Sequence, residues 1–298
     1  MPQKHYDSHF DNLKNKWLHR QKELQQGLID RHKDAFDWLG HRAKQFMVGT
    51  IGSLLMFGQP VTSTVSAMQP PSTKSIDLPG ENALSPEARL ILDLSYSLPK
   101  TVEPLTSEQE KVIAKTLSRH FDMPVAAELQ GKRLNRSYGL IGAEQHLMRY
   151  PGDTIDTHFA TADEATNYYD SGMAPGRGAW GYFASSQGSM TQKDVDREKY
   201  YIAVQTFLAP GFEENVKEHY EFFKYRKMLV VNPDNGRAMV ADIADAGPSP
   251  WTGKHLGGSP EVMRYLDRKD GAQRGPVLYF FIDDPSDTIP LGPTQIKK

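Results

Sequence analysis

At 298 residues the chain is long enough for one sizeable domain with extensions, or for two small domains. With 35 Lys+Arg against 37 Asp+Glu, the formal charge of −2 argues against a basic nucleic-acid binder and against an acidic tail, so no nucleic-acid partner is expected. The absence of cysteine excludes disulfides, thiolate metal ligands and a cysteine nucleophile, while leaving the compartment open.

Residues 1–45 place Phe10, Leu13, Trp17, Leu24, Leu28, Phe36 and Leu39 among nine Lys/Arg and six Asp/Glu. That spacing predicts an amphipathic helical segment, which either shields its stripe by self-association or on a membrane, or recruits a cytoplasmic partner. Residues 46–58, FMVGTIGSLLMFG, form the most apolar run, and no charge follows Gln45 until Lys74. His41, Arg42 and Lys44 precede the run, and Val65-Ser66-Ala67 follows it with the small residues that signal peptidase prefers. Residues 46–67 therefore read as a signal peptide cut after Ala67 or as an uncut signal anchor, the long head favouring the anchor. The alternative is a buried core helix, since thirteen residues fall short of a span of about 20. Positive charge before the run would leave residues 1–45 in the cytoplasm and the rest outside the membrane.

Residues 68–84 are rich in Pro, Ser and Gly and read as a tether. Residues 85–130 predict two short helices, a small helical subdomain or an arm on the main body. The first starts at Ser85-Pro86-Glu87 with Leu90, Ile91 and Leu94 on one face, and the second starts at the capping box Thr106–Gln109 with a stripe of Val112, Ile113 and Leu117. From residue 131 to 298 short apolar and aromatic runs broken by Gly and Pro predict a β-rich body. Candidate strands cover 138–147, 200–207, 228–231, 237–244 and 277–282, the last being the final one expected. The turn 232–236, NPDNG, joins two of them into a hairpin, and Ser259-Pro260-Glu261 opens a capped helix.

The stretch 228–266 resembles the double-psi β-barrels of the rare lipoprotein A, expansin and three-aspartate-domain type. The family's pattern is matched at Val231-Asn232, Asn235-Gly236-Arg237, Ala244-Asp245-Ala246-Gly247-Pro248, Gly253-Lys254 and Ser259. The chain departs from it at Ala246, where the family has Arg, and at Gly257, where the family has the Asp of Asp-Leu-Ser. The resemblance implies a mainly β fold, a six-stranded double-psi β-barrel, here with N-terminal helical additions and a membrane segment. It also implies a cell-envelope protein acting on peptidoglycan or another cell-wall glycan.

Asp245 is the leading candidate for chemistry. Flanked by alanines at a strand end, it can be held protonated by its surroundings and act as the general acid that the resemblance implies for lytic cleavage of glycan strands, where the sugar's own hydroxyl attacks. The competing reading is a carboxylate that caps the Gly-Pro turn. His255 is a candidate to share a proton with Asp245 or orient substrate. Trp251 offers a flat face for a sugar ring, and Lys254 and Arg237 can meet stem-peptide carboxylates. Asp242, three residues before Asp245, would point to the opposite strand face and reads as solvated or ion-paired, with substrate binding as its functional alternative. Glu144 and His146 would share a face with His158 further on, but no third and fourth ligand stands at a recognisable spacing, so no metal and no cofactor are expected. Ser185, Ser186 and Ser189 lack the setting of a serine nucleophile. Loss of the family's second aspartate favours the alternative of a non-catalytic, expansin-like binding module. A membrane-anchored scaffold is the third reading.

Overall fold

The structure, a computed structural model, describes residues 84–268 and 275–297. The expectations for residues 1–45 and 46–67, and for nearly all of the tether, lie outside the described residues. Among the described residues no helix is long and apolar enough to cross a membrane.

Two helices lead into the body, each where its cap predicts it. Helix α1 (Pro86–Ser95) is capped by the Ser85 hydroxyl, which accepts from the Ala88 N–H. Helix α2 (Ser107–Phe121) carries the reciprocal Thr106/Gln109 capping box and ends at Asp122 in the left-handed conformation, φ 51°. Short strands β1 (Val125–Ala126), β2 (Glu128–Leu129) and β3 (Lys132–Arg133) follow, and then β4 (Tyr138–Ala143). A long excursion holds α3 (Ile155–His158), α4 (Ala162–Tyr168) and α5 (Gln192–Lys199) before the chain returns as β5 (Tyr201–Val204). After α6 (Val216–Phe223) come β6 (Lys227–Val231), β7 (Ala238–Ala246), β8 (Leu256–Gly258), α7 (Pro260–Tyr265), β9 (Gly275–Ile282) and β10 (Gly292–Thr294).

Six strands close on themselves. Strand β9 pairs antiparallel with β4 and β6, and β6 antiparallel with β7. Strand β7 runs parallel to β5, β5 antiparallel to β8, and β8 parallel to β4, which completes the ring. Strands β1 and β10 add to the outside, on β9 and β7. The result is a mainly β architecture around a closed six-stranded barrel, compatible with double-psi topology.

Alternation explains how one strand serves two cores. Met228, Val230, Met239, Ala241, Ile243, Val277, Tyr279 and Phe281 pack in one buried cluster. The residues between them, Leu229, Val231, Ala238, Val240, Leu278 and Phe280, pack with Leu90, Leu94, Ile113, Leu117 and Phe121 in a second. With successive side chains on opposite faces, strands buried on both sides read as nearly continuous apolar runs, as these do but for Asp242 and Asp245 of β7. The two helices are therefore an arm packed on the barrel, with which they share a core.

The hairpin forms as expected, with Gly236 at φ 73° in its turn and the Asn232 N–H bonded to the Arg237 carbonyl at 2.9 Å. The Asn232 side chain ties the hairpin to the end of α7, donating to the Leu266 carbonyl at 2.8 Å. Three expectations change. Strand β4 stops at Ala143, short of Leu147. The strand expected over 200–207 gives way after Val204 to a single turn, Thr206–Leu208. Strand β9 is not the last, because β10 follows it and pairs with β7. The sequence also gave no sign of β8, whose three residues include two glycines.

Candidate functional site

A β-bulge sets the geometry around Asp245. Strand β5 is regular, and its Tyr201 and Ile202 lie opposite Asp242 and Ile243, but its Ala203 lies opposite Asp245, so Ala244 is the extra residue. Because Tyr201 and Ala203 are two apart, Asp242 and Asp245 sit on the same face. A regular strand would put them on opposite faces, as the sequence analysis expects, and the bulge reverses that. Continuing across the sheet, Ala203 pairs with Gly257 and Gly257 with Gly142. Asp245, Ala203, Gly257 and Gly142 thus form one cross-strand row with a floor of small residues.

Asp245 is half-buried, and its Oδ1 accepts the Ala179 N–H at 2.7 Å and the Ala246 N–H at 2.8 Å. The competing reading, a cap on the Gly-Pro turn, is not what forms: the Ala246 N–H belongs to β7 itself, and the Gly247 N–H meets the Val204 carbonyl at 3.0 Å instead. Burial nevertheless holds the carboxyl above the usual aspartate range, against the opposing pull of those two backbone bonds. The Oδ2 atom has no hydrogen bond among the described residues, so a protonated Asp245 has a hydroxyl free to donate. The loop that supplies Ala179 is fastened over β7 by the Trp180 indole, which donates to the Ile243 carbonyl at 2.8 Å.

A second carboxylate reaches the same row from β4. A Cβ at Gly257 would overlap Cγ and the carboxylate of Glu144, and a Cβ at Gly142 would overlap the Lys254 side chain. The two facing glycines leave room for the two long side chains to lie over the strands, where Lys254 Nζ meets Glu144 Oε1 at 2.6 Å and the Ala143 carbonyl at 2.9 Å. Burial raises the Glu144 carboxyl despite the Lys254 bond and charge, and the nearby Asp245 charge raises it further. At the position where the resemblance implies an aspartate on the strand, Gly257 is covered by the carboxylate of Glu144. Sequence reading placed Glu144 beside His146 and missed this, because the pairing depends on the register between β4 and β8.

The remaining candidates divide. Trp251 stands on the surface, 67 % exposed, in the turn after β7. Lys254 belongs to the site, ion-paired to Glu144 where a solvated surface residue was the competing reading. His255 is committed elsewhere. Its Nδ1 accepts the Leu140 N–H at 2.9 Å, its Nε2 lies 2.9 Å from Arg136, and burial followed by the Arg136 charge lowers its pKa. A ring pinned to β4 in this way does not share a proton with Asp245. Arg237 donates to the Tyr265 carbonyl at the hairpin end of β7, eight residues from Asp245, or about 26 Å at the usual rise per residue. It is outside this site. Asp242 is 1 % exposed, so it is not solvated, and its nearest cation, Arg197, is 3.7 Å away.

The excursion between β4 and β5 carries a second polar cluster. His146, Asp153, His158 and Glu198 are all buried. Glu198 Oε1 accepts the Leu147 N–H at 3.0 Å and lies 3.3 Å from His146 Nδ1, while its Oε2 lies 3.0 Å from His158 Nε2. The Nδ1 atom of His158 is 3.0 Å from Asp153 Oδ2, and the same oxygen accepts from the backbone N–H and Nε of Arg149. Burial alone would depress His158, but its bonds to Asp153 and Glu198 raise it to about 9. Burial would likewise raise Glu198, yet its two histidine bonds bring it to about 2. Sequence reading named both histidines and missed Glu198, which sits in the highly charged helix α5.

No known protein family, curated protein or solved structure matches this chain. Its own geometry defines the class: a closed six-stranded barrel with two half-buried carboxylates on one outer row. Such a pair can donate a proton to a leaving group from one side and support positive charge, or activate water, from the other.

Proposed function

We propose that this is a cell-envelope protein that cleaves peptidoglycan or a related wall glycan, with Asp245 as the general acid. The observation that carries the reading is the Asp245 carboxyl itself: burial favours its protonated form, one oxygen is fixed by two backbone N–H groups, and the other is free. The double-psi resemblance and the export-type run over residues 46–67 support the envelope setting. Trp251, exposed just beyond the strand, supplies a stacking face. Cleavage of the lytic type needs only this group: Asp245 protonates the leaving glycosidic oxygen as the sugar's own hydroxyl attacks the anomeric carbon, and the resulting Asp245 carboxylate takes up that hydroxyl's proton.

Glu144 favours a second reading, hydrolysis, in which it activates water. Its carboxylate lies over Gly257, two inter-strand steps from Asp245 or about 10 Å along the sheet, and the two side chains leave the same face. The same observation weakens the case for a non-catalytic binding module, since the carboxylate absent at Gly257 has a spatial substitute.

The test incubates the full chain with purified peptidoglycan and identifies released sugars by mass. Asp245→Asn is expected to lower release about 10²- to 10⁴-fold, the usual contribution of a general acid. Anhydro-sugar ends would establish lytic cleavage, and reducing ends abolished by Glu144→Gln would establish hydrolysis. Sedimentation with the wall without release by the wild type would leave a binding module and sink the enzymatic reading.

A further inference from the structure

The buried cluster on the 144–199 excursion is independent of the Asp245 row and does different chemistry. We propose that His146, His158 and Glu198 bind one zinc-type divalent cation, with Asp153 holding the His158 ring in place. One ligand atom from each of the three residues lies within 4.8 Å of the others. The Glu198 oxygens approach the two rings at 3.0 and 3.3 Å. In a tetrahedral site with metal–ligand bonds of about 2.0–2.1 Å, neighbouring ligand atoms are about 3.3 Å apart; the two Glu198 contacts already match this, and the widest separation in the set, up to 4.8 Å, would have to close on binding. Two imidazoles and a carboxylate are a donor set that suits zinc.

Two further observations point to a ligand. The Asp153 contact to His158 Nδ1 fixes the tautomer that leaves Nε2 free to coordinate, the carboxylate–histidine arrangement that commonly backs a metal ligand. Finally, a cleft of about 370 Å³ reaches His158 and Glu198 and is also lined by Tyr150, Lys199 and Glu261. It gives the ion a path in and leaves a coordination position open to water or to a ligand. A charged His158 bridging Asp153 and Glu198 accounts for the same contacts without a metal, and metal uptake separates the two.

The experiment strips the full chain with a chelator, then titrates it with Zn²⁺ by calorimetry and with Co²⁺ by visible absorption. Expected are one equivalent bound, cobalt bands of low-coordinate intensity, and an at least tenfold loss of affinity in Glu198→Gln and in His158→Asn. Asp153→Asn should lose about 10- to 100-fold as a positioning residue. Should the variants fail to fold, proton NMR of the wild-type cobalt form decides, with paramagnetically shifted imidazole N–H signals expected from two histidines. No uptake by the folded wild type, uptake unchanged in folded Glu198→Gln, or shifted signals from fewer than two histidines would overturn the proposal. None of these readouts depends on glycan cleavage.

Discussion

At the scale of single residues, one strand carries two carboxyl groups on one face in different circumstances. Asp245 has backbone donors and a free oxygen at the surface, whereas both oxygens of Asp242 are buried without a hydrogen bond. Burial raises Asp242 well above the ordinary aspartate range, with Arg197 only partly opposing it, so the fold favours the neutral form more than the unfolded chain does. The folded state then binds more protons than the unfolded one, and stability must fall as pH rises from the unfolded pKa towards the folded one. Asn mimics the neutral acid and cannot ionise. Asp242→Asn is therefore expected to leave stability nearly unchanged around pH 4 and to exceed the wild type by a margin that grows towards pH 8. Urea denaturation across that range checks it, and a variant less stable at the upper end would show that the charge is satisfied by Arg197 and Lys227 after all. Asp245 stands out by its place at the end of an apolar run together with the double-psi resemblance. Neither reveals the Glu144 partnership, which exists only because β4 and β8 align two glycines.

At the scale of elements, the helical arm and the barrel depend on each other. Leu94 of α1 lies fully buried in the cluster that also holds Leu229, Val240 and Phe280 of the barrel strands. Leu94→Ala is expected to cost about 2–5 kcal/mol, as large-to-small core changes do. The loss should appear in the barrel too. Trp180 fluorescence, which reports on β7 through the indole bond to Ile243, and far-UV dichroism should give coincident and equally shifted transitions. A shift in the helical signal alone would make the arm a separate unit. Both helices were legible because each begins with a capping residue and a one-sided stripe, and β6, β7 and β9 because apolar residues dominate them, Asp242 and Asp245 of β7 apart. Strand β8 was not, since Leu256-Gly257-Gly258 has almost no side-chain signal and is a strand only through its neighbours β4 and β5. The polar helices α4 and α5 were missed for a related reason: they are short, and α4 buries no residue while α5 buries only Glu198.

At the scale of the whole molecule, closure of the barrel rests on its C-terminal strands. Strand β9 pairs with β1, β4 and β6, so it ties together segments more than one hundred residues apart. Pairings of such long range are slow to form, because the intervening chain must be ordered before they return any stability. They also leave a closed barrel without a free edge inside its ring, so no strand of the ring can detach without breaking two ladders. The 144–199 excursion, by contrast, is held by buried side chains, Glu198 and Arg149 among them, and by backbone bonds within itself, such as those of His146 with Gly172 and Ala174 and of Arg149 with Phe183 and Ala184. Its opening does not require the ring to break. Native-state hydrogen exchange should therefore divide the molecule. Amides of β4, β6 and β9, among them the Tyr279 N–H bonded to the Ser137 carbonyl at 2.9 Å, are expected to exchange only through global unfolding, with one common dependence on denaturant. Amides of α4 and of the 187–189 turn should exchange at lower free energy, through openings that leave the barrel intact. If β9 were to exchange ahead of β4 and β6, the barrel would be opening at its last strand, and the ring would be a less cooperative unit than its pairing implies.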